Sequence, residues 1–155
     1  MRDARKMFDL SGKTAVITGG GGVLAGVMAE SLIAAGAKVS LWGRGRSAPV
    51  ADIIKEMGEK TGHPELVHGV TVDTSNKPAV EEALQKTEQK LGMPDILVNG
   101  VGGNLGKSTF IEADLDTFKK IMDMNILAGL VIPTQVFAKS WIEAEHPATI
   151  INMAS

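Results

Sequence analysis

The sequence predicts an α/β protein built on a doubly wound parallel sheet, and three observations carry this. Five apolar, β-branched runs of strand length alternate with segments of helix length. The first run is closed by four consecutive glycines, Gly19 to Gly22, that open a helical segment. No internal repeat, low-complexity tract or linker interrupts the 155 residues, so a single domain, 1–155, accounts for the chain. Right-handed crossovers between parallel strands then leave only a few doubly wound arrangements.

The elements follow in order. TAVIT (14–18) is the first strand. Leu24, Val27, Met28, Ser31, Leu32 and Ala35 then recur at helical spacing, with Gly36 as C-cap. KVSLW (38–42) is the second strand, and a helix over 49–61 runs into TGHP. ELVHGVTV (65–72) is the third strand. A helix with Val80, Leu84, Thr87 and Leu91 on one stripe closes at Gly92 and Pro94. DILVNG (95–100) is the fourth strand, a long helix covers 114–143, and TIINMA (149–154) is the fifth. Within the long helix, the ring of Pro133 meets the carbonyl of Gly129, so an irregularity is expected there. Leu115, Phe118, Met122, Asn125 and Gly129 share one stripe, which predicts a buried Asn125 in need of partners.

Composition narrows the function. A hydrophobic content of 44% with 22% charged residues is globular. A formal net charge of -2 gives no electrostatic reason for a nucleic-acid or anionic-membrane partner. Without cysteine, disulfides and thiolate metal sites are excluded, and His63, His68 and His146 have no metal-ligand spacing, so no metal is expected. MRDARKMFDL lacks the apolar core of a signal peptide, and no apolar run approaches the roughly 20 residues of a membrane span. A cytoplasmic protein without a membrane partner is the expectation.

The chemistry concentrates at strand ends. VITGGGGVLAG (16–26) follows the first strand and opens a helix, where glycines let a pyrophosphate approach the backbone and the helix N-terminus offers N–H groups. Thr18 is placed to brace that turn. A ligand-free turn is the alternative, at the entropic cost of four glycines. The second strand ends LWGRGR, with no acid to bind ribose hydroxyls. Arg44 and Arg46 instead suit a 2′-phosphate, or are solvated surface arginines. GVGGNLGKST (100–109) imitates a phosphate-binding P-loop, but its required first glycine falls on Val101.

TGGGGVL resembles the T-G-x-x-x-G-x-G signature of short-chain dehydrogenases/reductases, in the variant of D-mannonate (fructuronate) oxidoreductase-type sugar-acid reductases. Val23 and Ala25 hold the two later glycine positions. The resemblance implies a Rossmann-like fold, NAD(P)(H) and hydride transfer to or from a small-molecule carbonyl or secondary alcohol, a sugar acid among them. It assigns cofactor contacts to Thr18, Gly19, Gly21, Gly22, Val23 and Leu24, to which the phosphate reading above adds Arg44. Asp73 in VDTSNKPAV is assigned to the adenine, with Thr74 beside it as a further cofactor contact. Asn99, Gly100, Val101 and Gly102 in LVNGVGG resemble the N-N-A-G wall beside the adenosine. The cofactor expected is NADP(H) or NAD(H), with NADP(H) favoured by Arg44 and Arg46.

The resemblance also assigns catalytic roles. Asn125 matches the family's asparagine of the proton relay, with a structural asparagine as the alternative. IINMAS aligns Ser155 with the catalytic serine of N-[IV]-S-S. The family's tyrosine, general acid and base, is implied about thirteen residues beyond Ser155, with a lysine four further on. The chain holds no tyrosine. It is therefore expected to be the N-terminal, cofactor-binding part of a longer enzyme, inactive alone and lacking the C-terminal strands. The full-length form is expected to be a homotetramer. A non-catalytic dinucleotide-binding remnant or sensor is the rival, and a P-loop phosphate-transfer protein the third reading.

Overall fold

The computed structural model describes residues 7–153, so Ala154 and Ser155 lie outside the described residues. Five strands, β1 (Thr14–Thr18), β2 (Lys38–Gly43), β3 (Val67–Thr71), β4 (Ile96–Asn99) and β5 (Thr149–Asn152), form one parallel sheet in the order β3-β2-β1-β4-β5. The helices are α1 (Val23–Ala34), α2 (Val50–Thr61), α3 (Lys77–Leu91), α4 (Leu115–Met122) and α5 (Ile132–Glu143), with a π-helical segment at Asp123–Val131 between the last two. The chain runs outward from β1 through β2 to β3, then crosses back to β4. The order therefore reverses between β1 and β4, which opens a crevice above their C-terminal ends.

Alternation along β1 builds two cores at once. Ala15 and Ile17 face α1 and α2, where they pack with Ala29, Ile33 and Met57. Val16 faces α3 and α5 with Trp42, Leu84, Leu97 and Phe137. On α3 the stripe Val80, Leu84, Thr87 and Leu91 is buried as its spacing requires. Phe137 lies between Trp42 and Trp141, each ring centroid 5.4 Å away at tilted or edge-on angles. The Trp42 indole N–H is satisfied inside this core by Ser40 Oγ (3.1 Å) and Thr87 Oγ1 (3.2 Å).

The N-terminal rim of the sheet is tied by one acid. Asp95 accepts from Lys13 Nζ at 2.8 Å and from the Thr14 backbone N–H at 2.9 Å. Its own backbone donates to Thr14 and accepts from Thr149, so β1, β4 and β5 start from one residue. Burial pushes the Asp95 carboxyl up, but the Lys13 and Thr14 hydrogen bonds and the charges of Lys13 and His146 outweigh it, and the net direction is down. A depressed carboxyl contributes stability that is present above its unfolded pKa and lost as pH falls through the folded one. Asp95→Asn should therefore cost about 1–3 kcal/mol at neutral pH. Urea denaturation across pH should also show a flatter acid limb for the variant below about pH 4. Parallel acid limbs for the two proteins would refute this.

The long helix corrects two expectations. It runs from Leu115 to Glu143, and by length and hydropathy it could cross a membrane, contrary to the reading of the sequence. Its α5 part is a core element, with Val136, Phe137 and Trp141 buried against the sheet. The stripe expected to be buried is instead open at its start: Leu115 is 72% exposed, Phe118 49% and Met122 44%. The reason is placement, since α4 makes its main contacts with the π segment and not with the sheet. The irregularity expected near Pro133 is this π segment, which hands over to α5 at Ile132.

Candidate functional site

The ends of β1, β2 and β4 interlock at the crevice through glycines. Gly19 turns the chain out of β1 at φ +72, and a Cβ there would lie 2.6 Å from Gly100 O. The reverse contact is equally close, because a Cβ on Gly100 would meet Thr18 O at 2.6 Å. Gly20 N–H donates to Trp42 O (2.7 Å) and Gly22 N–H to Gly19 O (2.9 Å), so the turn hangs on the end of β2. Ala25 fills the last glycine position of the signature with a methyl that joins the core beneath α1. Helix–strand packing at this position thus accepts one carbon.

Above this floor is a cleft of about 530 Å³, within the range of small-molecule sites. Gly19, Gly21 and Gly22 form one wall. Gly43, Arg44 and Arg46 form the second, and Asp73, Thr74 and Ser75 the third. Gly100, Val101 and Gly102 close it on the β4 side, with Asp123, Met124 and Ala128 from the π segment. Thus nine of the expected cofactor contacts share one cavity. Val23 lines an adjoining cavity of about 380 Å³ between α1 and α2, which shares Gly21, Gly22, Ser47 and Ile53 with the first. Leu24 is exposed on the first turn of α1.

Thr18 and Asn99 lie beneath the cleft, where the Thr18 hydroxyl and the Asn99 Nδ2 are engaged by neighbouring elements and Asn99 Oδ1 is buried without a hydrogen-bond partner among the described residues. Thr18 Oγ1 accepts from Gly100 N–H at 3.0 Å and donates to Val98 O at 3.4 Å. Asn99 Nδ2 donates to Thr134 Oγ1 (3.0 Å) and to Asn152 Oδ1 (2.9 Å), joining β4 to β5 and α5. Asn125 is half-buried and grips one residue twice: Oδ1 accepts from Gly103 N–H (2.8 Å) and Nδ2 donates to Gly103 O (3.0 Å). Its amide therefore holds the loop after β4 against the π segment. Gly129 completes that contact, since a Cβ there would come within 2.5 Å of Val101 O.

Electrostatically the cleft is mixed. Asp73 Oδ1 accepts from the Ser75 hydroxyl (2.7 Å) and Ser75 N–H (3.0 Å), which leaves Oδ2 open to the cavity. Those Ser75 bonds, with smaller help from the Arg44 and Arg46 charges, hold its carboxyl below the usual range. Asp73 is thus an ionised acceptor facing two arginines. The lining residues missed from the sequence are Trp42, Gly45, Ser47, Ile53, Val72, Ser75, Asp123, Met124 and Ala128. The last three lie on the π segment, with Asp123 and Ala128 five residues apart, a spacing that a search for α-helical stripes passes over.

The P-loop reading lacks its structural context. Residues 100–109 form no helix start, and α4 begins only at Leu115, capped by Asp114 through Thr117 N–H. Among the described residues no group of three or more His, Cys, Asp or Glu could hold a metal ion.

Comparison with known proteins is consistent with this geometry. The family model described as short chain dehydrogenase matches residues 13–155. An uncharacterized oxidoreductase, UxuB, of Bacillus subtilis is 33% identical over 161 residues, covering 95% of this chain. A 2-dehydro-3-deoxy-D-gluconate 5-dehydrogenase of Formosa agariphila is 28% identical, covering 96%. Among solved structures, a candidate D-mannonate oxidoreductase of Haemophilus influenzae with bound NAD is 26% identical, with a TM-score of 0.78, over 97% of this chain and 57% of its own. The chain spans 56% of the Bacillus relative and 54% of the Formosa one.

Proposed function

The chain belongs to the short-chain dehydrogenase family, and on that premise we propose that its cleft binds a nicotinamide dinucleotide for hydride exchange with a carbonyl or secondary alcohol. The observation that carries this is the glycine-walled cleft at the β1/β4 reversal, with a helix N-terminus at one side. The residues fit such a group. Side chains are missing where a pyrophosphate needs close backbone approach, at Gly19, Gly21 and Gly22, and Asp73 Oδ2 is free to accept from an adenine amine. When bound, the nicotinamide would supply or accept the hydride.

Gly43 carries no carboxylate to bind ribose hydroxyls, and Arg44 and Arg46 are close by, which supports NADP(H). The NAD bound in the Haemophilus structure favours the other cofactor. Asn125 is proposed as a positioning residue, because both its amide atoms hold Gly103 beside the cleft. Ser155 is proposed to hydrogen-bond the substrate oxygen. The names of the Formosa and Haemophilus proteins support a sugar acid as substrate class. The open stripe Leu115, Phe118 and Met122 supports self-association of the whole protein.

The deciding experiment is a titration of the chain with NADPH and NADH, followed by quenching of its two tryptophans, of which Trp42 borders the cleft. Saturable binding of either cofactor supports the reading; none for both ends it. Binding without turnover in the whole protein would favour a non-catalytic dinucleotide module.

A further inference from the structure

The floor of the cleft contains the chain's single Asn–Gly pair, Asn99–Gly100. A side-chain amide followed by glycine is chemically labile, because no Cβ hinders attack of the following peptide nitrogen on the amide carbon. Gly100 leaves no room for a Cβ beside Thr18 O, and Asn99 Nδ2 ties β4 to Asn152 and Thr134.

The fold opposes the reaction at three points. Ring closure requires the 99–100 peptide to rotate, yet its N–H donates to Thr18 Oγ1 (3.0 Å) and its C=O accepts from Met153 N–H (3.0 Å). The amide itself is fixed by its two Nδ2 hydrogen bonds. Asn99 Oδ1 is buried and has no hydrogen-bond partner among the described residues, so an oxyanion forming there would find no donor.

We infer that Asn99–Gly100 is a latent deamidation site, held unreactive by the Thr18 hydroxyl and the Met153 N–H that pin the intervening peptide. The step is a closed exchange. Gly100 N gives up its proton to solvent base and attacks Asn99 Cγ, the Cγ–Nδ2 bond breaks, and ammonia leaves. Water then opens the resulting succinimide at either carbonyl, giving aspartate or isoaspartate with no change of oxidation state. Either product replaces the Nδ2 donor with a carboxylate oxygen beside Asn152 Oδ1. Isoaspartate also adds a methylene to the backbone just before Gly100, Val101 and Gly102, which line the cleft. Chemical ageing at this pair would remove the binding site.

The test incubates the chain at mildly alkaline pH below its unfolding temperature. Deamidation and isoaspartate are then quantified on the peptide containing Asn99. The folded chain should react at least about tenfold more slowly than the same chain in urea, as for a reaction gated by local opening. Folded Thr18→Val should react several-fold faster than wild type, and Thr18→Ser, which keeps the hydroxyl, should stay slow. Equal rates for folded and unfolded wild type, or for folded Thr18→Val and wild type, would overturn the inference. Should Thr18→Val not fold, hydrogen exchange of the Gly100 N–H in wild type decides: protection supports the inference and free exchange overturns it.

Discussion

Replacing Gly19 with alanine is expected to destabilise the protein by about 2–5 kcal/mol and to abolish dinucleotide binding. Two costs combine. An L-residue in the left-handed region costs about 1–2 kcal/mol. The added Cβ would also stand 2.6 Å from Gly100 O and 2.9 Å from its carbonyl carbon. Both are backbone atoms, so the strand ends must separate, at the roughly 1–3 kcal/mol typical of overpacking. Gly62 provides the control, because it has the same φ of +72 at the end of α2 and nothing within 4 Å of its would-be Cβ. Gly62→Ala should therefore cost only about 1–2 kcal/mol and leave cofactor titrations unchanged. Urea midpoints for the two variants separate the effects. Equal losses would mean that the β1–β4 interlock contributes nothing beyond backbone strain.

That interlock shows what the sequence could reveal. The strands, α3 and the cleft's glycine wall were legible because each follows a simple period or lies directly after a strand. Val80, Leu84, Thr87 and Leu91 show the α period, and Gly43, Asp73 and Gly100 lie at the ends of neighbouring strands. Two kinds of feature were not legible. The π segment adds roughly one residue per turn, so Asp123 and Ala128, five residues apart, reach the cleft together off the α period. Only Gly129 and Pro133 signalled a break. An apolar stripe, moreover, says that a face is sticky and not what covers it, which is why Leu115 and Phe118 read as buried and are open. Thr18, Asn99 and Asn125 were legible as special positions. The Thr18 hydroxyl, the Asn99 Nδ2 and the Asn125 amide are engaged by Gly100, Asn152 and Gly103, and those pairings depend on tertiary contacts 22 or more residues apart in the chain.

Cofactor choice should turn on Arg44, Arg46 and the empty position at Gly43. Exchanging both arginines for alanine is expected to weaken NADP(H) binding roughly 10–150-fold while leaving NAD(H) nearly unchanged. This corresponds to losing one charge-assisted contact of about 1.5–3 kcal/mol, counted once because both side chains are exposed. The Ser75 hydrogen bonds that chiefly lower the Asp73 carboxyl are kept in every variant, so Asp73 stays ionised at neutral pH and its repulsion of a phosphate cancels in the comparison. Gly43→Asp in the double-alanine background should then favour NAD(H). A Cβ at Gly43 would lie 3.8 Å from Gly21 N and 3.9 Å from Gly20 N, ordinary contacts that let the side chain enter without moving the glycine turn. Its carboxylate would accept from the ribose hydroxyls and repel a 2′-phosphate. The informative quantity is the ratio of the two dissociation constants, because damage to the cleft lowers both affinities together. If the double alanine weakens both cofactors equally, the arginines are solvated surface charges, and preference is set elsewhere in the cleft.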